Sequence, residues 1–194
     1  YSEPHDLWTK RAPAALRDRV PQVGTYNGRK SWLIDRDKPV GFGEASPNSA
    51  ILKDGSKVRQ LDEFIAVKFA DVHPGSWDVK PRLAFMDEHN IHAQIVYPNV
   101  LGFGGQNSSK IDKALRLSCV QIYNDAMAEL QAESGQRLFP MALLPWWDVK
   151  ESVKETIRCH KLGMRGININ SDPQTHRDDN GNTIPDLATA HWDP

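Results

Sequence analysis

The chain has 194 residues, and 24 Lys+Arg stand against 25 Asp+Glu for a net charge of −1. So even a balance provides no basic field to attract nucleic acid or an anionic lipid surface. Apolar residues make up 39 %, and the 13 glycines bring the chain into the ~45–50 % range of globular domains. No run of ~18 apolar residues reads as a membrane span, and the first thirteen residues lack the ~7–15-residue apolar core of a secretory signal.

Residues 1–78 read as irregular, because Pro4, Pro13, Pro21, Pro39, Pro47 and Pro74 alternate with Gly24, Gly28, Gly41, Gly43, Gly55 and Gly75. One helical stretch is expected at 60–69, from Leu61, Phe64, Ile65 and Phe69. Trp8, Tyr26, Trp32, Phe42, Phe64, Phe69 and Trp77 supply apolar area, which favours a docked layer over a disordered tail.

From residue 80 the pattern alternates. A helix is expected at 80–90, with Leu83, Phe85 and Met86 on one face, then a buried strand at 91–97 closed by Pro98 and Asn99. After a glycine-rich loop, Ser109 with Asp112 resembles a capping box. It opens a helix at 108–134 whose stripe is Ile111, Leu115, Cys119, Ile122, Tyr123, Ala126, Met127 and Leu130, with Gly135 at its end. A second strand at 138–144 ends at Pro145. Asp148 with Glu151 opens a helix with a stripe of Val153, Ile157, His160 and Leu162, closed by Gly163, and a third strand spans 164–170. Strands alternating with amphipathic helices mean βα units and a parallel sheet.

Chemistry in such folds sits at the carboxyl ends of the strands. Here those ends are Tyr97–Asn99, 145–147 and 168–172, carrying amides, aromatics and one carboxylate. Asn168 and Asn170 share a strand face. The loop Gly102-Phe103-Gly104-Gly105-Gln106-Asn107 follows a strand, so a nucleotide-binding α/β domain is an alternative. However, Asn107 stands where a dinucleotide fingerprint needs its last glycine, and no Lys-Ser/Thr follows. His89 and His92 straddle a helix-to-strand turn at the amino rim. His160 reads as structural, and His5, His73, His176 and His191 fall in loops without a partner at ligand spacing. Cys119 and Cys159 read as reduced, buried thiols of a cytoplasmic protein, with a disulfide or a catalytic cysteine as the alternatives.

Several segments in order resemble the amidohydrolase-related family typified by aminocarboxymuconate-semialdehyde decarboxylase. They are Glu3-Pro4-His5-Asp6-Leu7-Trp8-Thr9, Arg17–Pro21, Pro74–Asp78, Arg82-Leu83 with Met86-Asp87, and Tyr97-Pro98-Asn99 with Gly102-Phe103-Gly104. Tyr123-Asn124, Arg137-Leu138, Leu143–Pro145, Trp147-Asp148, Gly163–Gly166, Ser171–Pro173 and His191–Pro194 follow. The resemblance implies an α/β fold that is a partial (β/α)8 TIM barrel, with about strands two to four present. Residues 1–78 would be a long N-terminal lid-like insertion on the barrel mouth, and 79–194 the partial barrel.

It further implies a metal-dependent lyase or hydrolase that decarboxylates or hydrolyses a small carboxylated, often aromatic or unsaturated, substrate. One divalent ion, zinc or manganese, would be held by ligands that align before Tyr1 and after Pro194. On this expectation the chain is a fragment, itself inactive, of a cytoplasmic enzyme, for which the resemblance suggests a homodimer. Glu3 would then line the site, and Trp8, Asn99, Phe103, Trp146 and Asn170 would face the mouth. No catalytic residue and no metal ligand is assigned within the chain. A non-catalytic barrel relative is the further alternative.

Overall fold

The structure, a computed structural model, describes residues 1–40, 43–45, 51–178 and 180–193. Phe42 and the side chains of Leu61 and Phe64 lie outside what is described. Residues 1–78 are more regular than their prolines and glycines suggest. Helix α1 (Leu7–Arg11) precedes an antiparallel sheet of β1 (Gln22–Tyr26), β2 (Arg29–Ile34) and β3 (Lys38–Pro39). Asn27 and Gly28 join β1 to β2 with φ of 48° and 75°, the two left-handed residues that a type I′ hairpin turn requires. Helix α2 (Leu61–Ala66) is shorter than the expected 60–69.

Helix α3 (Val79–Glu88) is capped by Asp78, whose carboxylate accepts from Lys80 N at 3.0 Å. It leads to β4 (Gln94–Val96), helix α4 (Lys113–Glu133), β5 (Leu138–Leu143), helix α5 (Val149–Lys161) and β6 (Gly166–Asn168). The start of α4 differs from the expected capping box. Asp112 is the N-cap and accepts from Ala114 N, whereas residues 106–110 form a separate 3-10 turn in which Ser109 Oγ donates to Gln106 O. Gly135, at φ 62°, ends α4 in the left-handed conformation that glycine tolerates.

The stripe expected on α5 is also corrected. Ile157 and Leu162 are about half exposed and His160 is exposed, while Ser152, Glu155 and Cys159 face inward. Polar bonding explains the rotation. Asn124 Nδ2 donates to Glu155 Oε1 at 2.7 Å, and Arg158 donates to both Glu155 oxygens. Burial opposes ionisation of Glu155, but Arg158 and Asn124 outweigh it and hold the carboxyl below its usual range.

β4, β5 and β6 form a parallel sheet with β5 central. This is the α/β alternation expected, with β4 and β6 shorter than 91–97 and 164–170. The sheet is open, and no closed barrel exists among the described residues. The register sorts its faces by the two-residue period. Val96, Leu138 and Ala142 are buried on the helix side. Ile95 pairs with Phe139 and Met141 with Gly166 on the opposite side, where Ile95 is 63 % exposed and Tyr97 46 %.

One apolar core joins Leu7, Trp8, Val20, Trp32, Ile34 and Val40 of the N-terminal layer to α4 and the sheet. That layer rests largely on α4, where Trp8 Nε1 donates to Cys119 O at 2.9 Å. Among the described residues no helix is long and apolar enough to cross a membrane.

Candidate functional site

The parallel strands deliver three loops to one end of the sheet. After β4, the buried Glu3 carboxylate reaches across 96 residues of sequence, and its Oε1 accepts from Asn99 N at 2.8 Å and Val100 N at 3.3 Å. Asn99 Nδ2 answers by donating to Tyr1 O at 2.5 Å. These bonds tie the first residues of the chain to the carboxyl end of β4. Burial raises the Glu3 carboxyl above its usual range, against the lowering effect of those amides. Among the described residues, Glu3 Oε2 is the only buried carboxylate oxygen without a hydrogen-bond partner.

The glycine-rich loop crosses to β6. A Cβ on Gly104 would stand 2.5 Å from Ile169 O and 2.8 Å from Asn170 Cα, so only glycine permits this contact. Asn168 Nδ2 donates to Phe103 O on the same crossing, and Trp146 Nε1 donates to Gly105 O at 3.0 Å. The Phe103 ring itself is 55 % exposed and lies edge-on to Tyr97, with centroids 6.4 Å apart. Phe103, Gly104, Asn168, Asn170, Asp172 and His176 border a groove of about 440 Å3. Within it Asn170 Oδ1 accepts from Asp172 N at 3.2 Å, while Asn170 Nδ2 is buried without an acceptor. The His176 ring leans on Trp146, with centroids 4.8 Å apart.

Of the six residues expected at the mouth, Phe103 and Asn170 border the groove and Trp146 backs it through His176. Glu3 and Asn99 bond to each other at the end of β4. Trp8 is not among the groove's walls. It is fully buried beside Trp32 and Tyr123, as a core residue rather than a mouth-facing one. His176, passed over in the sequence for want of a spaced partner, enters the groove because its partner Trp146 lies thirty residues away. A larger hollow of about 800 Å3, between β2 and α2, carries Arg29, Lys30 and Lys68 against Glu44 and Asp62 and touches no parallel strand.

The amides of the glycine-rich loop are turned to the chain itself. Gly102 N donates to Asn99 O, Gly104 N to Gln106 Oε1, Gly105 N to Gly102 O and Asn107 N to Leu101 O. The next α-helix begins only at Lys113. Nothing in this loop favours the phosphate cradle of the nucleotide-binding alternative. Cys119 and Cys159 are free and buried, and burial pushes both thiols up to about 12. Among the described residues no three His, Cys, Asp or Glu side chains are grouped to hold a metal ion. No protein-family model matches the chain, and no curated protein does.

Proposed function

We propose that β4, β5 and β6 are three strands of a (β/α)8 barrel of the amidohydrolase type, within a longer polypeptide. Its active site would lie at the strand ends just described. The substrate would be a small carboxylated compound, decarboxylated or hydrolysed by a cytoplasmic, homodimeric enzyme. What supports this is the uncovered apolar face of the parallel sheet. Parallel sheets are almost always covered on both faces, yet Ile95 and Tyr97 stand open beside Phe139 and Met141. A barrel interior would cover that face.

In this arrangement Glu3 fixes the entry of the N-terminal segment over the end of β4. The glycine-rich loop holds Phe103 over the end of β6. The resemblance implies one zinc or manganese ion, which would supply Lewis-acid chemistry. The described residues do not by themselves fit such an ion, since no three candidate ligands are grouped.

The test uses protein expressed from the full reading frame that contains this sequence. Elemental analysis should find about one zinc or manganese per chain. Turnover of small aromatic or unsaturated carboxylates, read as carbon dioxide release or hydrolysis, should vanish on chelation and return with the metal. Activity that survives exhaustive chelation overturns the proposal.

A further inference from the structure

We propose that the groove beside β6 is a binding subsite for a planar ring carrying a single carboxylate. The Asn170 amide and the His176 imidazole would grip the carboxylate, and the Phe103 ring would cover the face of the ligand ring. The choice of a carboxylate rests on the function proposed above; the gripping residues rest on the geometry.

Asn170 provides the fixed donor. Its side chain is 5 % exposed, and its Oδ1 is engaged by Asp172 N. Turning the amide over would set Nδ2 against that N–H, so the orientation is locked. Nδ2 is left buried without an acceptor. Buried polar groups are rarely left so, and those that are mark a strained site or a missing partner. An acceptor oxygen supplies that partner once a small shift of the groove wall admits it to Nδ2, which has almost no accessible surface.

His176 stands across the same groove, its ring oriented by the fully buried Trp146, which is itself held by Gly105 O. Two donors from the same segment after β6, six residues apart and both bordering the groove, suit the two oxygens of one carboxylate. Phe103 completes the site. Its ring is more than half exposed, although its backbone is tethered to β6 by Asn168 and by the Gly104 contact. An exposed aromatic ring on a fixed loop gains apolar burial and offset stacking when a planar group covers it. The volume of about 440 Å3 accommodates one substituted ring. Asp172 stands on the rim as an opposing charge. Its charge opposes a second carboxylate on the ring, and the hydrogen bonds from Asn170 and His176 must outweigh its repulsion of the first.

The probe is benzoate, titrated into the purified protein by calorimetry and by ligand-observed NMR. Saturable binding is expected, with cyclohexanecarboxylate and phthalate binding more weakly. Asn170→Asp keeps the acceptor for Asp172 N but replaces the free donor with a charge. His176→Gln removes the imidazole. Each should weaken benzoate by about tenfold or more, the scale of losing a hydrogen bond to a charged group. Phe103→Ala, on an exposed side chain that should leave folding intact, is expected to erase the preference for benzoate over cyclohexanecarboxylate.

Absence of saturable benzoate binding, or unchanged affinity in both Asn170→Asp and His176→Gln, overturns the subsite. So does a ring preference that survives Phe103→Ala. Benzoate binding that depends on these residues in a protein whose turnover ignores chelation would uphold the subsite and overturn the metal-dependent function. The converse would do the reverse.

Discussion

Asn124 is fully buried in α4 and treats β5 as a neighbouring strand would. Its Oδ1 accepts from Leu143 N at 2.8 Å, and its Nδ2 donates to Leu143 O at 2.9 Å and to Glu155 Oε1. One amide therefore fixes the last residue of the central strand, from which the loop bearing Trp146 departs. Asn124→Ala leaves a backbone N–H, a carbonyl and a carboxylate short of partners in the interior. It should cost about 2–4 kcal/mol of stability, read as a lower urea midpoint. Asp35 carries a different liability. Hydrogen bonds from Arg19 and Lys38 hold its carboxyl at about 2, below the ordinary 3.8. A depressed folded value stabilises the fold above the unfolded value, and that contribution is lost as the carboxyl is protonated in the folded state. Melting temperature should therefore fall between pH 4 and pH 2. Asp35→Asn, which tolerates the local φ of 51°, should start lower and lose less across that window. A parallel decline in both proteins would count against the assignment.

The loop of Gly102 to Gly105 shows what one methyl group can decide. Gly104→Ala places a Cβ against the backbone of Ile169 and Asn170, neither of which can rotate aside. The loop must lift from β6 at a cost of about 1–3 kcal/mol, carrying Phe103 with it. Benzoate affinity should drop with the melting temperature, whereas Gly55→Ala, in open space at φ 82°, should lower stability alone. Legibility in the sequence divides along similar lines. The α4 stripe, its Gly135 terminus and the order of parallel strands could be read because periodicity and breakers act locally. The β1–β2 hairpin carried its own signal, Asn27-Gly28 between Gln22–Tyr26 and Arg29–Ile34, which the surrounding prolines obscured. The inward face of α5 could not be read, because Glu155 is drawn in by Asn124 and Arg158 rather than by apolarity. Phe103 and Asn170 followed from their places at strand ends. His176 did not, since its position depends on a ring contact with Trp146 that only folding creates.

A three-stranded parallel sheet with one open face is an unfinished packing problem. Ile95 and Tyr97 on that face, and Ile167 on the opposite face of the edge strand β6, leave large apolar side chains about half exposed or more. Among the described residues β4 and β6 pair with β5 alone, so their outer edges are the usual template for intermolecular pairing. A net charge of −1 gives little repulsion to oppose it. The chain of residues 1–194 should therefore associate as its concentration rises, by light scattering, and should bind an apolar dye. Ile95→Lys combined with Ile167→Lys should reduce both signals without lowering the melting temperature. Within a longer chain that closes the barrel the sign reverses. There the Ile95 site is interior, and Ile95→Lys alone should destabilise by about 3–5 kcal/mol, because an unpaired charge would be buried. Measuring that one substitution in both lengths of protein separates an open sheet that is natively exposed from one that is covered. Equal and negligible effects in the two would leave the sheet face a solvent surface and remove the main support for the barrel.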